Sequence, residues 1–326
     1  MDLFRDISTY DPIALAALRR GATLAISVSG GKDSQAMLYR LVEMRKALDW
    51  TGPSHAVHAD LGRAEWPQTL AHVEAMCRSR HVPLSVVRRD RGDLVARIEE
   101  RLNTVSTLDG TRTAKPFWPS AAQRYCTSDL KRGPIQKWLR TLGKDVVIVS
   151  AQGMRSEESS RRAKMEPLSV NKALTSKHLR GVTSSNSRGY TPSEALSAWQ
   201  SEGGRLVLDW LALFDWSEEQ VWAALVPGGI RELRARQKLY RDGDEAAALH
   251  GWLAHPAYVW GNRRLSCALC VLACRGDLVN GIRHNPQLAA RYVLLERASG
   301  YSFKQGQSLE ALAAEEMIRL PILEPA

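Results

Sequence analysis

The chain has 326 residues, 44% hydrophobic and 25% charged, with 23 Gly and 14 Pro. This is globular composition, which excludes a collagenous, mucin-like or largely disordered protein. The formal net charge is +10 and the pI about 9.6, which suit equally a polyanionic partner, nucleic acid first, and a solvated basic face.

The predicted elements alternate. Residues 23–29 (TLAISVS) read as a short buried strand, Gly30-Gly31 as a turn, and Lys32 to Leu48 as a helix with Ala36, Met37, Leu41 and Met44 on one side. A second strand is expected at 54–59 and a helix at 67–80. A third strand follows at 84–87, with helices at 93–102 and 130–142. Residues 145–151 (DVVIVSA) form the clearest buried strand. The stretch 170–204, rich in Ser, Thr, Asn and Gly, reads as a long loop. Order returns at 206–214. Ser217 then caps a helix with Glu218 and Glu219 in its first turn, and a last amphipathic helix is expected over 308–320. Strands that are continuous apolar runs between helices predict an α/β fold, a parallel sheet flanked by helices. The expected division is a nucleotide-binding domain at 1–205 and a mostly helical, cysteine-bearing region at 206–326. No apolar run is long enough to cross a membrane. Residues 1–6 (MDLFRD) lack the basic and apolar blocks of a secretory signal, so the expected location is the cytoplasm.

The sharpest motif is Ser29-Gly30-Gly31-Lys32-Asp33-Ser34, where a buried strand meets a helix. Two glycines permit a tight turn and close approach to a ligand. Amides at the following helix start favour an anion, with Ser29 and Ser34 adding hydroxyls and Lys32 a positive charge. The pattern is not a Walker loop, because Ile26 stands where its first glycine belongs and Asp33 where Ser or Thr should follow the lysine. Asp60 ends the second strand, where open α/β sheets bind ligands; it reads equally as a Mg²⁺ or ribose contact and as a helix cap. Gly153 and Arg155 follow the strand at 145–151, and a guanidinium there can grip phosphate bidentately.

Five cysteines, Cys77, Cys126, Cys267, Cys270 and Cys274, argue against a disulfide framework. Cys267-x₂-Cys270-x₃-Cys274 supplies three thiolates on a short segment, and Cys126 a fourth from a distant one. Four cysteines suit a [4Fe–4S] cluster or structural zinc. Cys77 reads as core. Between Arg78 and Arg140, fourteen Lys/Arg face six Asp/Glu, an excess of eight positive charges.

Ser-Gly-Gly-x-Asp-Ser after a first strand resembles the PP-loop of ATP pyrophosphatases, enzymes of adenine nucleotide alpha hydrolase-like fold that cleave ATP to AMP and pyrophosphate. Further stretches resemble phosphoadenylyl-sulfate reductase-like proteins: His58 to Thr69, Cys126 to Lys131 with Pro134, Gly153 to Ser159 with Arg161 and Arg162, Asp215-Trp216-Ser217, and His255 to Cys270. The resemblance covers most of residues 20–275 in order. It implies that Ser29, Gly30, Gly31, Lys32, Asp33, Ser34, Asp60, Gly153 and Arg155 hold the nucleotide. Lys32, Asp33 and Arg155 would act in catalysis, with Mg²⁺ bridging phosphates, and the iron–sulfur members favour a [4Fe–4S] cluster on Cys126, Cys267, Cys270 and Cys274 over zinc. The similar assimilatory reductases carry a late catalytic Cys in a Glu-Cys-Gly context, and no Cys follows Cys274 here. The chain is more similar to the DndC/SspD group of DNA phosphorothioation proteins. That resemblance implies adenylylation of a DNA backbone phosphate for replacement of oxygen by sulfur. DNA, a cysteine desulfurase as sulfur donor and other modification-system proteins would be its partners. Sulfonucleotide (PAPS or APS) reduction, tRNA thiolation and a non-catalytic nucleotide-binding scaffold are the alternatives.

Overall fold

A computed structural model of the chain describes residues 11–107, 116–184 and 186–323. The leader reading of 1–6, and residues 108–115 of the basic stretch, lie outside the described residues. In chain order the elements are α1 (Pro12–Arg19), β1 (Thr23–Ser27), α2 (Lys32–Ala47), β2 (Ser54–Ala59), α3 (Thr69–Ser79), β3 (Leu84–Val87) and α4 (Leu94–Thr107). Next come α5 (Tyr125–Thr127), α6 (Gly133–Leu139), β4 (Val146–Gln152), β5 (Leu168–Val170), α7 (Pro192–Glu202) and β6 (Arg205–Leu211). The remainder is helical: α8 (Glu218–Leu225), α9 (Ile230–Arg241), α10 (Glu245–Leu249), α11 (Pro256–Val259), α12 (Arg275–His284), α13 (Pro286–Ser299) and α14 (Leu309–Glu315).

The chain divides into two compact units that interleave in sequence. The first comprises 1–58, 71–87 and 135–232, and the second 59–70, 88–134 and 233–326.

The first unit carries the sheet, in the order β3-β2-β1-β4-β6-β5. β1 runs parallel to β2 and to β4, and β4 parallel to β6. Leu24, Ala25, Ile26, Ile148, Val149, Val207 and Leu208 are all buried, as expected of strands covered on both faces. The chain leaves β1 toward β2 and β3, then returns to β4 on the other side of β1. Loops after β1 and β4 therefore border one crevice at the point where the strand order reverses. The fold class is α/β as expected, with one correction: β5 pairs antiparallel with β6 at the sheet edge, Leu168 opposite Trp210. A three-residue strand reached by a short return from β4 needs no helical crossover.

The reading of 170–204 as one loop is also corrected, because α7 occupies Pro192–Glu202. Thr191 caps it through the Glu194 amide, the Glu194 carboxylate returns the bond to the Thr191 amide, and Pro192 sits in the first turn. Only Ala195 and Leu196 of α7 are buried, so its apolar period is faint.

The second unit packs α4 and the helices after α9 around an aromatic core. Trp66 lies 5.6 Å from Trp260, and Trp118 lies 5.2 Å from Tyr292 and 5.0 Å from Phe303, measured between ring centroids. Asp93 caps α4 by accepting from the Ala96 amide at 2.8 Å, and α4 runs to Thr107, past its expected end. The last helix is shorter than expected: Ser308 caps α14, which closes at Glu315. Among the described residues no helix is long and apolar enough to cross a membrane.

Candidate functional site

In the first unit, β1 delivers the chain to Ser29 and α2 begins at Lys32. Gly30 has φ of 76°, in the left-handed region where a side chain is strained. Ser34 Oγ donates to the Gly31 carbonyl (2.9 Å) and accepts from the Ser29 amide (3.1 Å), which closes the turn on itself. Gly31 is the N-cap of α2 and makes no side-chain capping bond, so the helix start keeps its affinity for an anion.

The loop after β4 meets this turn. A Cβ on Gly153 would lie 3.0 Å from the Asp33 carbonyl carbon and oxygen, so any larger residue would press the two backbones apart by a few tenths of an ångström. Arg155 is 4% exposed and Lys32 also 4%. Arg155 Nε donates to Asp33 Oδ1 at 2.6 Å, and its Nη1 donates to Glu157 Oε2 at 2.6 Å and to the Trp216 carbonyl at 3.2 Å. Burial alone lowers a guanidinium pKa; here the Asp33 and Glu157 carboxylates outweigh it and hold Arg155 above its ordinary value. Lys32 Nζ lies 3.3 Å from Asp33 Oδ2 and 3.5 Å from Glu218 Oε1. Two buried cations are thus held ready by carboxylates, of which Glu157 and Glu218 are more than half exposed. Anionic phosphate oxygens can take the place of those carboxylates on the same donors.

The fold therefore brings together Ser29, Gly30, Gly31, Lys32, Asp33, Ser34, Gly153 and Arg155. Glu218 is legible in the sequence only as a first-turn acid, and Glu157 only as part of the stretch from Gly153 to Ser159. Their convergence on the two cations depends on β4 folding beside β1 and α8 beside α2, which no local pattern encodes.

Asp60 lies in the second unit. Its Oδ1 accepts from the Gly62 amide at 2.7 Å and its Oδ2 takes a bidentate grip from Arg88, 2.8 Å from Nε and 2.6 Å from Nη2. Its carboxylate is thus engaged by a turn and a guanidinium. Arg88 belongs to the expected basic stretch, and its side chain is 65% exposed.

The cysteine segment is also in the second unit. The Ala268 amide donates to the Ala64 carbonyl at 2.9 Å, and Ala268 and Leu269 are buried in the aromatic core. Loss of water pushes the Cys267 thiol up to about 12, with nearby Cys270 and Cys126 adding to the rise and Lys131 opposing it. Cys126, Cys267 and Cys270 are thus electrostatic neighbours, whereas Cys274 is exposed and stands at the N-cap of α12. Cys126 is the middle residue of α5, which is followed by a π-helical turn, Ser128–Arg132, that carries Lys131. The donor set, thiols beside a lysine, is chemically suited to a thiolate-bound group. Among the described residues no three His, Cys, Asp or Glu side chains converge as a metal-binding group. Cys77 is buried in the first unit, and burial pushes its thiol up to about 11, as befits a core residue.

A family model described as the phosphoadenosine phosphosulfate reductase domain matches residues 23–243. The chain belongs to that family, which acts on nucleotide substrates. No curated protein matches the chain.

Proposed function

We propose that this member of the phosphoadenosine phosphosulfate reductase domain family is an ATP pyrophosphatase that adenylylates a DNA backbone phosphate for sulfur incorporation. One observation carries the pyrophosphatase reading: two buried cations, Lys32 and Arg155, flank a self-closed Ser-Gly-Gly-x-Asp-Ser turn at the switch point of the sheet.

In this reading the turn amides and the Ser29 and Ser34 hydroxyls bind the β and γ phosphates. Lys32 and Arg155 release their carboxylates and stabilise charge on the α-phosphate and the departing pyrophosphate. Asp33, once freed from Arg155, would help hold Mg²⁺, which when bound would offset phosphate charge. A DNA phosphate oxygen attacks the α-phosphorus and displaces pyrophosphate, giving a mixed anhydride with AMP. A sulfur nucleophile at the level of hydrosulfide then attacks the DNA phosphorus and displaces AMP, so one P–O bond is exchanged for one P–S bond. A cysteine desulfurase is the class of partner that supplies such sulfur, within a larger modification system; its persulfide reaches the hydrosulfide level when a thiol reductant cleaves the S–S bond and is itself oxidised to a disulfide. The excess of eight positive charges between Arg78 and Arg140 supports DNA as acceptor.

The assay is purified chain with ATP and Mg²⁺, in the presence of DNA. The expected products are AMP and pyrophosphate; ADP with orthophosphate would refute the reading. Sulfonucleotide reduction is the second reading, favoured by the family match itself. It predicts sulfite release from a sulfonucleotide with a thiol reductant. The late Glu-Cys-Gly nucleophile is not among these residues, since no Cys follows Cys274.

Cys126, Cys267, Cys270 and Cys274 are proposed to hold a [4Fe–4S] cluster, with zinc as the alternative. Anaerobically purified protein should be brown and lose that absorbance on Cys267→Ser. Colourless protein with stoichiometric zinc would select the alternative.

A further inference from the structure

A cavity of about 520 Å³ opens in the first unit among Leu24 of β1, Ser54 of β2 and Val82 just before β3. It lies at the N-terminal ends of the strands, whereas the Ser29–Ser34 turn follows the C-terminal end of β1. Five residues of extended chain separate the two by roughly 17 Å. The volume falls in the range of about 300–1,000 Å³ typical of small-molecule sites.

The lining is amphipathic. Leu24, Leu41, Trp50 and Val82 are buried and apolar. Arg45 and Lys46, from the last turn of α2, and Arg80, just after α3, bring three positive charges against one carboxylate, Asp49. Among the described residues neither Arg45 nor Lys46 has an ion-pair partner. The Arg80 guanidinium stacks on the Tyr39 ring, 3.9 Å from its centroid, which fixes its position.

Two further observations single out this cavity. Trp50 is 5% exposed, and its indole N–H is buried with no acceptor among the described residues, an unfavourable state for a donor. Asp49 and His81, both in the lining, have φ of 50° and 54°. Each follows a helix end, where glycine is the unstrained choice, so both positions keep a polar side chain at the cost of strain. Helix C-termini do favour cations, which accounts for Arg45 and Lys46 singly. It does not account for an apolar cavity beneath them or for the unpaired indole.

We propose that this cavity binds a small organic anion, its charge held by Arg45, Lys46 and Arg80 and its apolar body packed against Trp50, Leu41 and Val82. The site stands apart from the phosphate-binding turn and does not depend on how that turn is used.

The probe is 8-anilinonaphthalene-1-sulfonate, with its uncharged counterpart N-phenyl-1-naphthylamine as control. The readout is the indole N–H resonance of Trp50 in ¹⁵N-labelled full-length protein, assigned by its loss in Trp50→Phe. The expected result is a shift of that resonance that saturates at one probe per chain and persists with excess ATP. The uncharged counterpart should bind about ten-fold more weakly, and Arg45→Glu/Arg80→Glu should weaken the sulfonate by about ten-fold or more. If the double variant does not keep the parent circular dichroism spectrum, Lys46→Glu, an exposed position, makes the same charge test. A Trp50 resonance unmoved at about 1 mM probe, or equal affinity for the charged and uncharged compounds, would overturn the proposal.

Discussion

Arg155→Ala is expected to lower the rate of AMP formation from ATP by about 10²–10³-fold, the loss typical when one preorganised transition-state donor is removed. The guanidinium is buried and clamped by Asp33, Glu157 and the Trp216 carbonyl, so its position is fixed before any nucleotide arrives. Its removal also leaves Asp33 and Glu157 without their shared counter-ion, and two carboxylates would then face an incoming triphosphate. ATP affinity should therefore fall together with the rate. Arg155→Lys should recover part of the affinity through its charge and little of the rate, because an ammonium cannot reproduce the planar fork. Steady-state assays paired with calorimetric ATP titration separate the two effects. An Arg155→Ala protein that forms AMP as fast as the parent would remove this residue from the reaction.

Gly281→Ala should destabilise the chain by about 3 kcal/mol, at the upper end of overpacking costs. A Cβ there would stand 2.1 Å from the Ala268 carbonyl oxygen and 2.9 Å from Leu269 Cδ2. That carbonyl is not free to retreat, since the Ala268 amide is bonded to Ala64 and its side chain is buried. The gain in helix propensity, up to about 1 kcal/mol for Gly to Ala, offsets only part of the clash. Gly276 of the same helix supplies the control: a Cβ there meets nothing within 4 Å, so Gly276→Ala should be neutral or slightly stabilising. At about 2–4 °C per kcal/mol for large domains, Gly281→Ala should melt roughly 6–12 °C below the parent. Equal melting of the two variants would show that α12 does not press on the cysteine segment. Because Ala268 lies between Cys267 and Leu269, the same clash should disturb any group that the thiols hold.

The contrast between these residues shows what the sequence could and could not disclose. The turn from Ser29 to Ser34 is legible because its glycines, hydroxyls and lysine stand consecutively at a strand–helix junction. Arg155 and Gly153 are legible from their place after a strongly apolar strand. Glu218 and Glu157 are not, because they meet the two cations only once β4 has folded beside β1 and α8 beside α2. The helix α7 was hidden by polarity, since two buried side chains leave almost no period to detect. Its Thr-Pro-Ser-Glu start nevertheless carried a capping box and an N-terminal proline. The antiparallel β5 had no signature at all: three residues are too few for alternation to declare an edge strand.

The interleaving of the two units also constrains how the molecule is made. Residues 59–70 and 88–134 leave the ribosome long before residues 233–326, to which they belong. The early segments of the second unit must therefore wait, partly unpacked and displaying Trp66, Phe117 and Trp118, until the last third of the polypeptide has been synthesised. Stop codons placed anywhere before the final helices should yield nascent chains that recruit chaperones and proteases.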